Sequence, residues 1–155
     1  MRTRTASKAL AIHYKRAREL HRRGLQGRVC AGGRPRGNPE VILIASGSEV
    51  CLAVEAHEKL VASGIRSRVV SMPSWEIFEH QTSEYRQQVF PPDVTARVAI
   101  EQASTFGWKR YVGSTGPVIG MKTFGASAPL KELQKKFGFE PDNVVAVAKE
   151  ILRKK

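Results

Sequence analysis

Val41-Ile42-Leu43-Ile44-Ala45-Ser46-Gly47-Ser48-Glu49-Val50 is the stretch whose reading decides the fold. Its unbroken apolar run, entered after Pro39, is the length of a strand and has no polar alternation, the pattern of a strand covered on both faces of a parallel sheet. The run stops at Ser46-Gly47-Ser48. Glu49 stands three residues after Ser46, a capping-box spacing, and Val50, Val54, His57, Leu60 and Val61 then recur at helical steps until Gly64 supplies a C-terminal stop. A strand, a tight turn and a helix are therefore expected over 41–64.

The same unit repeats along the chain. Ser67 to Met72 reads as a second strand, and Pro73-Ser74 opens a short helix through Phe78 with Ser74 as its cap. A further element runs from Ser83 to about Val89 and ends at Pro91-Pro92. Ala96 to Glu101 is a third strand and Val118 to Met121, after Gly116-Pro117, a fourth. Leu130 to Phe137 and Val144 to Leu152 read as closing helices, the second begun by Pro141-Asp142-Asn143. Strands alternating with helices imply a three-layer α/β/α domain with a mostly parallel sheet of about four to five strands.

Composition limits the function classes. The 155 residues carry a net charge of +12, but residues 1–37 alone hold eleven Lys and Arg against one acid, Glu19, a net of +10. The other 118 residues are nearly neutral at +2, so a nucleic-acid reading taken from overall charge concerns the head only, and the body predicts no such partner. No apolar run approaches the ~20 residues of a membrane span, and no membrane partner is expected. Cys30 and Cys51 form no zinc spacing and are expected to be free thiols of a reducing compartment.

Three places are site-like. Ser46, Gly47 and Ser48 join a strand end to a helix start, where free backbone N–H groups can hold an anion; a plain Ser-capped helix start explains the same residues. Glu101 and Gln102 fall at the carboxyl edge of a strand, before the loop Ala103-Ser104-Thr105-Phe106-Gly107-Trp108. That carboxylate is either part of a ligand crevice, a hydrogen-bonding anchor or part of a subunit contact. Met121 to Pro129 offers Lys122, Thr123 and Ser127 before a helix, with Ser127 capping that helix and Lys122 in solvent as the simpler reading. His57 and His80 have no local partners at ligand spacing, so no metal site is expected, and no nucleophile elbow occurs.

From Gly37 onward the chain resembles the C-terminal domain of transketolase. Seven collinear motifs carry the resemblance: V-I-L-I-A-S-G-S-E-V (41–50), R-V-V-S-M-P-S (68–74), Y-R (85–86), V-T-A-R-V-A-I-E (94–101), I-G-M-K-T-F-G-A-S-A-P (119–129), K-F-G-F (136–139) and D-N-V-V-A-V-A-K-E-I-L (142–152). The loop E-Q-A-S-T-F-G-W (101–108) also looks like many bacterial and plant members. The resemblance implies a part of a cytoplasmic, dimeric, thiamine diphosphate-dependent transferase of the pentose phosphate pathway, which moves a two-carbon ketol unit between sugar phosphates. It also implies that thiamine diphosphate, magnesium and substrate belong to the N-terminal and pyrimidine-binding domains. No catalytic, cofactor-binding or metal residue is carried over, and the isolated chain is expected to be inactive, with a structural role in assembly. The alternatives are the C-terminal subunit of a split transketolase and a regulatory module binding a small anion or nucleotide at Ser46 to Ser48.

Residues 1–36 do not match that pattern and are set apart as a basic head. Where the family has a segment resembling K-G-A-Y-V-L-A, this chain has Leu25-Gln26-Gly27-Arg28-Val29-Cys30-Ala31-Gly32. These eight residues can be encoded as CTA CAA GGG CGC GTA TGT GCT GGC, which one base later reads Tyr-Lys-Gly-Ala-Tyr-Val-Leu. The leading expectation is a head translated from a shifted frame. An organellar transit segment, a nucleic-acid-binding arm and a disordered solvated tail with a marginal helix around Leu10 to Leu20 are the other readings.

Overall fold

The computed structural model describes residues 38–154 and, for the backbone alone, the strand 29–31. One five-stranded sheet runs through it in the order β1-β3-β2-β4-β5. Its strands are β1 (Val29–Ala31), β2 (Val41–Ala45), β3 (Ser67–Ser71), β4 (Arg97–Ser104) and β5 (Val118–Met121). The last four are mutually parallel, and β1 pairs antiparallel to β3, with Val29 opposite Ser71. β1 lies inside the segment set apart as the head; the expected helix around Leu10 to Leu20 lies outside the described residues.

All five residues of β2 are fully buried, as its unbroken apolar run requires, since β2 is central and covered on both faces. One face packs under α1 (Glu49–Ala62) and α6 (Pro141–Arg153), with Val41, Leu43, Val69, Val98 and Ile100 against Leu60 and Val144. The other packs under three short helices, α2 (Trp75–Glu79), α3 (Ser83–Val89) and α4 (Lys109–Val112), with Ile42, Ile44 and Val70 against an aromatic layer. Each large apolar side chain so buried contributes about 1.5–3 kcal/mol. The eight-residue α5 (Leu130–Phe137) precedes α6 and has no fully buried residue.

Several local expectations hold in detail. Ser74 caps α2, its hydroxyl accepting from the Ile77 N–H at 3.2 Å. α1 ends in a Schellman turn, with the Ile65 N–H on Leu60 O, the Gly64 N–H on Val61 O and Gly64 at φ +80°.

Others change. The residues of α1 that face the sheet include Ala53 and Ala56, whereas Val61 is 52% exposed, because small side chains let the helix lie close to the strands. β4 extends beyond Glu101 to Ser104, its register with β5 shifting between those two residues. Gly120 of β5 accommodates that bulge: a Cβ there would lie 2.5 Å from Thr105 Cγ2. The stretch after Trp108, for which no element is expected, forms α4 and buries Tyr111 and Val112.

Candidate functional site

The chain leaves β2 for β3 on one side and then crosses to β4 on the other, so the carboxyl ends of β2 and β4 flank the switch point where open α/β sheets form their crevice. Ser46 follows β2, and Glu101 lies in β4. Their side chains meet there, Ser46 Oγ donating to Glu101 Oε2 at 3.1 Å, while the other carboxylate oxygen accepts from the Ala103 N–H at 3.1 Å. Residues 55 apart in sequence, read separately as candidates, thus form one joint. Glu101 acts as the hydrogen-bonding anchor between the end of β2 and the body of β4.

The expected capping box does not form. The Ser46 hydroxyl is committed to Glu101, the residue at the helix N-cap is Ser48, and Ser48 makes no side-chain bond to the helix N–H groups. Instead Ser48 Oγ donates to Glu49 Oε1 at 3.0 Å, and Glu49 is buried. Gly47 takes φ +51° between them. Two carboxylates, Glu49 and Glu101, therefore already receive the hydroxyls of the Ser46-Gly47-Ser48 turn. An anion entering it would meet both at close range, in opposition to the attraction of the helix N-terminus.

Beyond this joint the loops at the carboxyl edge are largely exposed and carry two large aromatic side chains among polar ones. In the loop after β4, Trp108 is buried against Trp75, ring centroids 5.2 Å apart and edge to face, while Phe106 stands 86% exposed. Gly107 between them has φ +83°, and a Cβ on it would lie 2.4 Å from the Trp75 ring. After β5, Phe124 is 99% exposed, and Lys122, Thr123 and Ser127 are exposed around it. Ser127 does not cap α5: Pro129 occupies the N-cap position, its carbonyl accepting from Glu132 and Leu133, and Ser127 lies too far upstream. Met121, Leu130, Leu133, Phe137 and Phe139 line a hollow of about 140 Å³ beside this loop.

The remaining titratable candidates are structural. His57 Nδ1 lies 2.7 Å from Ser67 Oγ in the core, and burial pulls its pKa below the usual value against the opposing pull of Glu58. Burial, then Glu55 and Glu49, push the Cys51 thiol up, away from a reactive thiolate. His80 Nδ1 contacts the Glu76 carbonyl. Cys30 has no described side chain. Among the described residues no three His, Cys, Asp or Glu side chains converge as a metal donor set. None of the described helices is long and apolar enough to cross a membrane.

Sequence reasoning missed Arg97. At the start of β4 it sends Nε to Val94 O, Nη1 to Tyr111 O and Nη2 to Pro91 O at 2.8, 3.1 and 2.9 Å, and it lies 5.2 Å from the centre of the Phe90 ring. An arginine interrupting the apolar run A-R-V-A-I was the available signal.

The chain is thus an open-sheet α/β domain, mostly parallel, with a Ser–Glu bond across its switch point. The comparisons give it a family. The model of the transketolase-like TK C-terminal domain matches residues 14–140, reaching into the segment read as head. Transketolase 1 of Escherichia coli is 56% identical over 116 residues, which are 75% of this chain and 18% of that protein. The transketolase of Halalkalibacterium halodurans is 52% identical over 119 residues, 77% of this chain and 18% of that one. Among solved structures, transketolase from Leishmania mexicana superposes with a TM-score of 0.77 at 39% identity, covering 85% of this chain and 19% of that one. A split gene transketolase, described as an inactive beta4 tetramer, shares the fold at 24% identity and TM-score 0.58, covering 77% and 44%. The chain belongs to the transketolase family and corresponds to its C-terminal domain. It spans about a fifth of the length of the curated relatives it matches.

Proposed function

We propose that the chain serves ketol transfer between sugar phosphates as an assembly domain and contributes no reacting group. The observation that carries this reading is the exposed apolar edge: Phe106 and Phe124, 86% and 99% exposed, follow neighbouring strands beside the hollow around Leu130. Large aromatic side chains grouped at one edge mark a surface that another chain or domain covers. The occupant proposed is the preceding part of a transketolase, its N-terminal and pyrimidine-binding domains, since the chain corresponds to only 18% of its relatives. Thiamine diphosphate, magnesium and the dimer contact belong to that larger enzyme, which is expected in the cytoplasm. A split gene supplying this domain as a separate subunit is the same proposal with the parts on two chains.

The test is reconstitution. The purified chain is mixed with the first two domains of a transketolase, with thiamine diphosphate and magnesium, and ketol transfer is followed. Activity restored by the mixture and absent from this chain alone is the expected result. Ketol transfer by the chain alone, or no gain from a mixture that forms a complex, would refute the assembly role.

A further inference from the structure

The aromatic layer on the α2–α4 side of the sheet opens into a cleft of about 440 Å³, a size suited to a small ligand. Glu79, Arg86, Arg97, Arg110 and Tyr111 supply its charged and phenolic walls. Three guanidinium groups thus line the cleft with a single carboxylate. Glu79 accepts from Arg86 Nη1 at 3.1 Å and from the Tyr111 hydroxyl at 3.0 Å, and Arg110 Nη1 lies 3.8 Å away. Arg97 meets carbonyl oxygens where the other two meet Glu79, and burial lowers its pKa, a sign that its charge is held away from water. Arg86 Nε is buried and has no hydrogen-bond partner among the described residues, so its fork is only partly used. The lining carries two positive charges more than it neutralises.

We propose that this cleft binds a small phosphate-class oxyanion, inorganic phosphate or a phosphate monoester, between Arg86 and Arg110 with Arg97 behind them. A dianion matches the excess of two charges, and guanidinium forks suit its oxygens. The concave wall lowers the effective dielectric relative to open surface, which strengthens the attraction. Glu79 opposes the anion and weakens its affinity.

Calorimetry of the full chain with inorganic phosphate at constant ionic strength tests this, with Arg86→Gln, Arg110→Gln and Glu79→Gln compared after circular dichroism shows each folded. Saturable binding, weakened about tenfold by either arginine change, is expected, the loss of one charge-assisted hydrogen bond. Glu79→Gln, which removes the opposing charge, tightens binding several-fold. Phosphate drawn to the basic residues 1–37 would ignore all three substitutions; an affinity that does not change, or no binding by the parent chain, overturns the proposal.

Discussion

The joint at the carboxyl ends of β2 and β4 and the cleft among α2, α3 and α4 are both polar gaps beside one sheet, yet they carry opposite charge. At the joint, Ser46 and Ser48 donate to Glu101 and Glu49, and the anion-attracting end of α1 faces the chain's own carboxylates. In the cleft, three arginines face one glutamate. Topology places a crevice at the joint, whereas side-chain charge sets the two gaps apart.

Arg97→Met should have the largest effect on this contrast. It removes the donors to Val94, Pro91 and Tyr111 carbonyls and leaves them poorly satisfied, at a cost of about 3 kcal/mol. Urea unfolding measures it; an unchanged midpoint would mean that Arg97 does not hold the cleft together.

Gly107→Ala comes next, at about 2 kcal/mol, because it combines an unfavourable φ with a clash against Trp75, the ring packed beside Trp108 and Tyr111. Tryptophan fluorescence should shift along with the unfolding midpoint.

Glu101→Ala, which unties Ser46 and the Ala103 N–H, should cost about 1 kcal/mol. Glu101→Gln keeps an acceptor and removes the charge, so it should cost less. Its value is the sharper question of whether phosphate then binds at the Ser46 turn. Binding gained there would show that charge alone closes the joint.

The smallest effect is that of pH. His57 has a folded pKa below its unfolded 6.5, so the unfolded chain takes up the proton first and stability falls as pH drops below that value. Between pH 7 and 6 the loss is at most about 0.7 kcal/mol. His57→Gln should remove that increment from the pH dependence of thermal unfolding.

Much of the fold was legible because it rests on local pattern. The run Val41 to Ala45, the cap at Ser74 and the stop at Gly64 each express a rule that operates within a few residues. The site was less legible because its bonds cross the sheet. Ser46 was read as a cap through its spacing to Glu49, but Glu101, 55 residues away, competes for the same hydroxyl and wins. Likewise Arg97 gains its role only when Pro91, Val94 and Tyr111 turn their carbonyls toward it.

The head poses a separate problem. A shifted reading frame over residues 1–36 remains a proposal. β1 falls at Val29–Ala31, a stretch that can be encoded so that the next frame reads Tyr-Val-Leu, better strand formers than Val-Cys-Ala. Nucleotide sequencing across codons 25–32 decides it: bases that do not yield the family segment one position over would end the idea.

Hydrogen exchange on the chain, alone and mixed with the first two domains of a transketolase, tests the assembly role most directly. Slowed exchange in the loops 103–108 and 121–130, around Phe106 and Phe124, is the expected result. A complex that forms but leaves both loops exchanging as in the free chain would contradict it.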